Sequence, residues 1–527
     1  MNNEFAFFTF AGMSSNLNEK VILFAIGIFF ILLSIFYHVT KKEKYSLVFL
    51  LCSAVLLFLF AAVLDPFLNV WDERFHALVA KNLMNHPLMP TLYDDPVVNM
   101  AYDNWDRFHI WLHKQPLFMW QIALSYKIFG VNEFALRLPS VFLSCLTVFA
   151  IYRSGKILGN HSVGYYAALL FVSSFYLFQL LSGWQETDEN DISFLSYISL
   201  SLWSWIEYIH TKKKIWIVFI GVFSGFAILC KWLVGLLVYL CWGIYSLLAN
   251  KLNFKKYRDI ILAIIITAIV ALPWQLLCLH WYPTEAKAAY ALNSAHFFET
   301  VDGHEGAWYY HFNMISEIFG IMAAYLLIPS LVIFYIKSNY KIISVAIIST
   351  VVFVYVFFSL IITKMPSFTI ILALPIYISL AFLFDYIENQ VSKFKVSTLA
   401  HKIIFFILIV LLFWFRMDLK SLNELHGITG KEHPCFTMLK HNKKIFQSLN
   451  LPSNAVIFNV NGRHYVEAMF YTGLPAYNFI PTNEQYLDLK KKSRRVALFN
   501  PIGDTIPNYL INDPSLILIK DTLKLCE

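Results

Sequence analysis

The sequence predicts a polytopic α-helical membrane protein that ends in a small extracytoplasmic α/β domain, and three observations carry that prediction. Of 527 residues, 58% are hydrophobic and 14% charged, a balance too apolar for a soluble chain of this length. Continuous apolar runs such as 21–39, 45–64 and 260–279 each approach the roughly 20 residues that one helix needs to cross about 30 Å of hydrocarbon. Beyond residue 418 the chain turns polar and the long apolar runs stop. Because the runs are continuous rather than alternating, a transmembrane β-barrel is excluded. The net charge of +7 sits in short clusters between apolar runs. Membrane orientation accounts for such clusters, and no nucleic-acid partner is expected.

Taken in order, spanning helices are expected at 21–39, 45–64, 137–153, 162–182, 192–210, 215–231, 233–249, 260–279, 314–336, 342–363, 367–385 and 403–418. The first run has no short apolar core followed by a small-residue cleavage site, so it is expected to be retained as a helix. Basic connections at 41–44, 153–156, 212–214, 251–258, 337–341 and 393–402 all fall on one side of this path, which the positive-inside rule makes cytoplasmic. The opposite side receives 65–136, 183–191, 280–313 and everything after 418, where acids, histidines, tryptophans and tyrosines collect. Within the first of these, the apolar stretch 116–129 reads as a helix lying in the membrane interface. A crossing there would break the charge pattern.

The tail alternates strand-like segments at 455–460, 475–480, 495–499 and 515–519 with helical ones at 464–471 and 484–492. The expected organisation is therefore a transmembrane domain, 1–418, that includes the outer loop 65–136, followed by an extracytoplasmic α/β domain, 419–527. Cys52, Cys145, Cys230, Cys241 and Cys278 lie inside apolar runs with no CxxC spacing and read as small core residues. Cys435 and Cys526 both lie in the tail, where an oxidising compartment would allow them to pair; sequence leaves their distance open.

Four outer-side groups can carry chemistry. In Val70-Trp71-Asp72-Glu73-Arg74-Phe75-His76, a carboxylate at the membrane surface is placed to accept a proton from an incoming hydroxyl; alternatively Asp72 and Glu73 end a membrane helix in water. The acids of Glu186-Thr187-Asp188-Glu189-Asn190-Asp191 face the same side, and capping of the following helix is the competing account of Asp191. In Trp111-Leu112-His113-Lys114-Gln115-Pro116-Leu117, Lys114 can hold a lipid phosphate as a point charge or simply snorkel to the headgroups. A helical 106–113 would put Asp106, His109 and His113 on one face. His113 and the His304 of Gly303-His304-Glu305-Gly306-Ala307-Trp308-Tyr309-Tyr310 are candidate zinc ligands, against the commoner role of a hydrogen-bonded histidine. Lys364, in Thr363-Lys364-Met365-Pro366-Ser367-Phe368, is a second candidate phosphate contact or an interfacial anchor. Lys231, in Cys230-Lys231-Trp232, reads as the tip of a tight outer hairpin with no assignable role.

In this order these groups resemble the GT-C fold membrane glycosyltransferases, specifically the group uniting protein O-mannosyltransferases with the lipid A aminoarabinose (ArnT-like) transferases. The likeness spans roughly 45–385 and is carried most specifically by Lys114-Gln115-Pro116-Leu117 and by Phe129-Gly130 with Arg137-Leu138-Pro139-Ser140. It implies a polyprenyl-phosphate sugar donor, inversion at the anomeric carbon, and an acceptor outside the cytoplasm: lipid A, another glycan or a protein. It also implies that Asp72 is the principal catalytic carboxylate, with Glu73 beside it, that Asp191 is the second-loop acid, and that Lys114 holds the donor phosphate. The chain departs from the pattern where Gln115 replaces the first of two prolines, where His113 stands in place of an acid that joins the Gly-His histidine on a metal, and where Phe368 replaces a tyrosine. The implied setting is the periplasmic face of a bacterial inner membrane. A transporter or a lipid-linked glycan flippase or ligase is the rival; transport would place ionisable residues in mid-helix and break helices in an internal repeat.

Overall fold

The structure is a computed structural model, and it describes residues 17–98, 105–250, 254–393, 397–428, 433–501 and 505–526. Lys251 and Lys395, in two of the basic connections, lie outside the described residues. The chain divides into two compact units. The first is drawn from Met1–Leu64, Lys114–Phe118 and Arg137–Leu422, and the second from Asp65–His113, Met119–Leu136 and Asn423–Glu527.

The first unit is a helical bundle of an integral membrane protein. Among the described residues, eight helical stretches are long and apolar enough to cross a membrane, and ten if two bent pairs each count as one span. Within Pro366–Val391, 89% of an 18-residue apolar window is buried, whereas within Thr398–His426 the share is 17% and Leu399, Leu408 and Phe415 turn outward, the surface that lipid covers. The 24-residue helix Asp188–Thr211, expected to cross at 192–210, is not among the eight; Ser193, Ser196, Ser199, Ser201 and Ser204 dilute its apolar character, yet all five are buried. Helix Ile215–Lys231 packs on Phe254–Trp281 through Gly221 and Gly225, four residues apart on one face. A Cβ at Gly221 would meet the Ala263 carbonyl oxygen at 2.7 Å, and one at Gly225 would meet Val270 Cβ at 2.6 Å. Small residues at this spacing let membrane helices approach closely.

The apolar stretch Ile215–Ala249 is not one rod. Ser224 Oγ donates to the Gly235 carbonyl at 2.6 Å, although eleven residues of straight helix would separate the two by about 16 Å. Trp232 has φ 59°, and the chain folds back there, so the tight turn expected at Lys231 is present. Two other spans break: His161–Val172 meets Phe175–Leu181 at 51°, and Tyr310–Phe319 meets Ile321–Lys337 at 106°. The readings of 162–182 and 314–336 as unbroken crossings are corrected by these bends. Neither Ser173-Ser174 nor Gly320 interrupts hydropathy enough to announce a break.

In the second unit, the described residues form a parallel three-stranded sheet in the order β1 (Ala455–Phe458), β2 (Arg495–Phe499), β3 (Ile517–Ile519). Ala455 pairs in register with Arg495, and Ala497 with Ile517. Parallel neighbours need crossovers, which helices His464–Thr472 and Asn483–Lys491 supply between β1 and β2. The strand expected at 475–480 does not join the sheet as a full strand. It runs beside β1, Ile457 N–H donating to the Pro475 carbonyl and Tyr477 N–H to the Ile457 carbonyl, both at 2.9 Å, and Pro475 has no N–H with which to extend the ladder. Cys435 and Cys526 form a disulfide with Cα atoms 4.8 Å apart.

Residues 65–113 and 119–136 of the long loop belong to this same unit. Helix Asp72–Leu83 and the helix Leu117–Phe129, within the stretch 116–129 expected to be helical, flank a 3₁₀ turn at Trp105–Arg107. No helix spans 106–113: Leu92 N–H donates to the His109 carbonyl and Trp111 N–H to the Pro90 carbonyl, so this stretch is extended and Asp106, His109 and His113 do not share a helical face. The tail grips the loop in turn. His426 Nδ1 lies 2.9 Å from Asp65 Oδ1, Lys443 Nζ donates to Glu133 Oε1 at 2.6 Å and to the Pro66 carbonyl at 2.7 Å, and Lys81 Nζ donates to the Phe470 carbonyl at 2.7 Å.

Candidate functional site

In the first unit, Asp191 sits in the first turn of Asp188–Thr211 and is 1% exposed. Lys231 Nζ donates to its Oδ1 at 2.5 Å, and Thr187 Oγ1 donates to Oδ2. Lys231 also lies 5.5 Å from the centre of the Phe368 ring. Phe368 thus offers a π-face to the cation that holds Asp191, and it also packs against the rings of Phe358, at 5.0 Å, and His311, at 6.0 Å. Lys231, without a role in the sequence, is the partner that fixes this acid.

Glu186 Oε2 lies 3.6 Å from His304 Nε2, which joins the 183–191 loop to the Gly303–Tyr310 loop. Lys364 N–H donates to the His304 carbonyl at 3.0 Å. The Lys364 ammonium is engaged locally: it donates to the carbonyls of Phe358 and Ser359, both at 2.9 Å, and of Ile361. Those are orphan carbonyls at the end of helix Lys341–Leu360, and all three ammonium donors have a partner there. Burial pulls this amine below its usual value. Lys364 is thus a helix cap in this structure.

Gln115 Oε1 accepts from Gln275 Nε2 at 2.7 Å, and Gln275 Oε1 accepts from Tyr290 O–H at 3.1 Å. The glutamine standing in place of a proline therefore anchors Lys114 to helix Phe254–Trp281. The charge of Lys114 reaches His296: burial, then Lys114, then Lys231 hold that imidazole down to about 4. Of the two ammonium groups that act on this imidazole, Lys231 is already paired with Asp191. Sequence pattern offers no signal for His296, Gln275 or Tyr290, whose partners lie far off in the chain.

In the second unit, Asp72 opens helix Asp72–Leu83 after Trp71, whose φ is 69°. A carboxylate there complements the helix dipole. Glu73 is fully buried and accepts from the Asn69 backbone N–H at 2.5 Å, which gives it a structural bond in the turn that presents Asp72. Arg74 pairs with Glu467 at 3.2 Å, and Glu467 also receives His464 Nδ1 at 2.8 Å. Burial lowers the Arg74 pKa against the opposing pull of Glu467. Arg463 donates from Nε to Asp106 at 3.2 Å and lies over the Trp71 and Trp105 rings, at 5.8 and 5.3 Å. His113 stacks on Trp105 with ring centres 4.3 Å apart.

For a metal, the Glu186 carboxylate beside the His304 imidazole is a donor pair that zinc accepts, two of the three or four protein ligands that a zinc site takes.

Fold and site together define a polytopic membrane protein with the GT-C fold. Residues 113–276 match the family model described as dolichyl-phosphate-mannose-protein mannosyltransferase. An uncharacterized protein of Aquifex aeolicus is 31% identical over 167 residues, 31% of this chain and 30% of that protein. The undecaprenyl phosphate-alpha-4-amino-4-deoxy-L-arabinose arabinosyl transferase of Pseudomonas aeruginosa strain UCBPP-PA14 is 26% identical over 167 residues, 30% of this chain and 29% of that enzyme. The match thus spans under a third of these curated relatives. Among solved structures, ArnT from Cupriavidus metallidurans bound to undecaprenyl phosphate superposes with a TM-score of 0.61 at 14% identity, covering 84% of this chain and 88% of that one. The archaeal oligosaccharyltransferase AglB from Archaeoglobus fulgidus gives 0.53 at 12% identity, covering 82% and 64%.

Proposed function

We propose that this protein transfers a sugar from a polyprenyl-phosphate donor to an acceptor outside the cytoplasm, with inversion at the anomeric carbon. The observation that carries the reading is the fold, shared over 84% of this chain with a protein crystallised with undecaprenyl phosphate. Lys114, whose neighbour Gln115 is tied to helix Phe254–Trp281 through Gln275, suits a leaving phosphate as a point charge. In the proposed step the acceptor hydroxyl oxygen bonds to the sugar C1 and its proton passes to Asp72. The bond from C1 to the phosphate oxygen breaks, and the polyprenyl phosphate departs with the electron pair, its charge stabilised by Lys114. Asp191 keeps Lys231 in place. The disulfide in the unit that carries Asp72 supports a site in an oxidising compartment, here the periplasmic side of a bacterial inner membrane. A lipid A, glycan or protein acceptor is consistent with that side.

The test incubates the purified protein in proteoliposomes with a panel of labelled polyprenyl-phosphate hexoses and pentoses and outer-leaflet acceptors, and measures released polyprenyl phosphate. Asp72→Asn is expected to lower transfer roughly 100- to 10,000-fold while the protein stays folded. Full transfer by that variant removes Asp72 from its role, and no release with any donor sinks the reading. The proposed zinc-ligand roles of His113 and His304 have their own test: elemental analysis of purified protein, with stoichiometric zinc expected and its loss expected in His304→Ala.

A further inference from the structure

Arg416 lies one residue from the end of helix Thr398–Met417 and is buried. Its guanidinium serves two helix breaks at once. Nη2 donates to the Leu170 carbonyl at 2.8 Å and Nε to Ser173 Oγ at 3.1 Å, where the first bent pair breaks. Nη1 donates to the Phe319 carbonyl at 2.8 Å, where the second breaks. In an apolar span each such carbonyl is costly without a partner. Both belong to helix C-termini, the negative ends of their dipoles, so a cation there is doubly favoured. The planar fork reaches both, which a lysine, a point charge, does not. Gly320 leaves room for it: the residue has φ +88°, and a Cβ there would stand 2.6 Å from Nη1.

Each break lies at the root of a loop with site residues. Phe175–Leu181 leads into Glu186 and Asp191, and the Gly303–Tyr310 loop with His304 leads into Tyr310–Phe319. The loops beyond these two half-helices meet at the Glu186–His304 contact. We propose that Arg416 is a positioning residue for the transfer reaction, setting both bends and with them the relative placement of the loops that carry Glu186, Asp191 and His304. The seven-residue half-helix Phe175–Leu181 is about 10 Å long, so a change of about 10° in its bend moves the far end by about 2 Å. Misplacement on the order of 1 Å costs roughly 100-fold in rate. The inference rests on the proposed function for the task of these loops, while the tether itself is tested without any activity.

The tether is read by a Glu186→Cys/His304→Cys pair joined by a short bifunctional thiol reagent, with the cross-linked peptides identified by mass spectrometry. Adding Arg416→Met is expected to slow cross-linking at least about tenfold. In the native-cysteine background, Arg416→Met is expected to lower kcat roughly 100-fold with little change in donor KM. Arg416→Ala is expected to regain both cross-linking and turnover when guanidinium is added, which general destabilisation would not allow. Cross-linking at the parent rate in folded Arg416→Met overturns the proposal. Should Arg416→Met not fold, Gly320→Ala decides: it keeps Arg416 but presses a methyl on Nη1, so slowed cross-linking supports the tether and the parent rate overturns it. Absence of transfer by the unsubstituted protein overturns the enzymatic reading, and cross-linking then decides the tether alone.

Discussion

Lys231 donates from Nζ to Asp191 Oδ1 across 2.5 Å, joining the end of one apolar helix to the first turn of a buried one. Asp191 is 1% exposed and Lys231 23%, so removing the amine leaves a buried carboxylate bonded to the hydroxyl of Thr187. Breaking a buried pair from one side costs about 3–5 kcal/mol. Lys231→Met is therefore expected to destabilise the protein by about 3 kcal/mol, whereas Lys231→Met with Asp191→Leu recovers part of the loss. Denaturation in detergent supplies the cycle, and a coupling below about 0.5 kcal/mol would show that the two residues act independently.

Acid should reveal His296. In the unfolded chain this imidazole takes up its proton near 6.5, and in the folded protein only near 4, because burial, Lys114 and Lys231 oppose the charge. Between those values the unfolded state binds more protons, so stability rises with pH across this window and is independent of His296 above it. The expected outcome is that His296→Gln flattens the stability curve between pH 4 and 6.5 relative to the parent. Parallel curves for the two proteins would contradict the placement of the lysine charges.

Arg74 and Glu467 lie 3.2 Å apart with side chains 6% and 3% exposed; they tie the helix that begins at Asp72 to the tail helix His464–Thr472. Glu467→Ala leaves a buried guanidinium and is expected to cost about 3–5 kcal/mol. The exposed pair Lys492 and Asp488, both 52% exposed, is the control, and Lys492→Ala is expected to change stability by about 0–1 kcal/mol. Chemical denaturation of the two variants side by side checks the contrast. Equal effects would mean that the tail is not integral to the unit that presents Asp72.

How much of this was legible in sequence depends on the range of the interaction. Membrane class followed from local hydropathy, and the fold-back at Lys231 from a charge between two apolar runs. The Lys231–Asp191 pair did not, because its members are 40 residues apart and no spacing rule links two helices. Lys364 reads as a phosphate contact or an interfacial anchor, and its capping role is not legible because a lysine after an apolar run has the same local appearance whether it faces a ligand, the headgroups or the helix behind it. Arg416 was silent for a related reason: in the last turn of an apolar helix it reads as a snorkelling side chain, and the breaks it serves are invisible in hydropathy. Broken helices were expected of a transporter rather than of a transferase; here they lead into the loops that carry Glu186, Asp191 and His304. In the tail, strands β1 and β2 were readable as short apolar runs, while 475–480 failed as a strand at its proline.

Cys435 and Cys526 close a loop across a sequence separation of 91 residues that contains the whole parallel sheet and its crossover helices. The chain-entropy account gives a bond across such a loop about 4–5 kcal/mol of stabilisation by restricting the unfolded state. Its effect should concentrate in the unit that holds the tail, since the remaining five cysteines are unpaired and lie in the apolar helices. Cys435→Ser is therefore expected to expose the tail to protease while the membrane helices stay protected. Because the tail grips the loop carrying Asp72 through Glu467, Lys443 and His426, transfer is expected to fall with the same dependence on denaturant as tail cleavage. Limited proteolysis and polyprenyl phosphate release, followed along one urea series with and without reductant, check both halves. A tail that resists protease equally well in the reduced protein would show that the sheet and its grip on the loop hold without the bond.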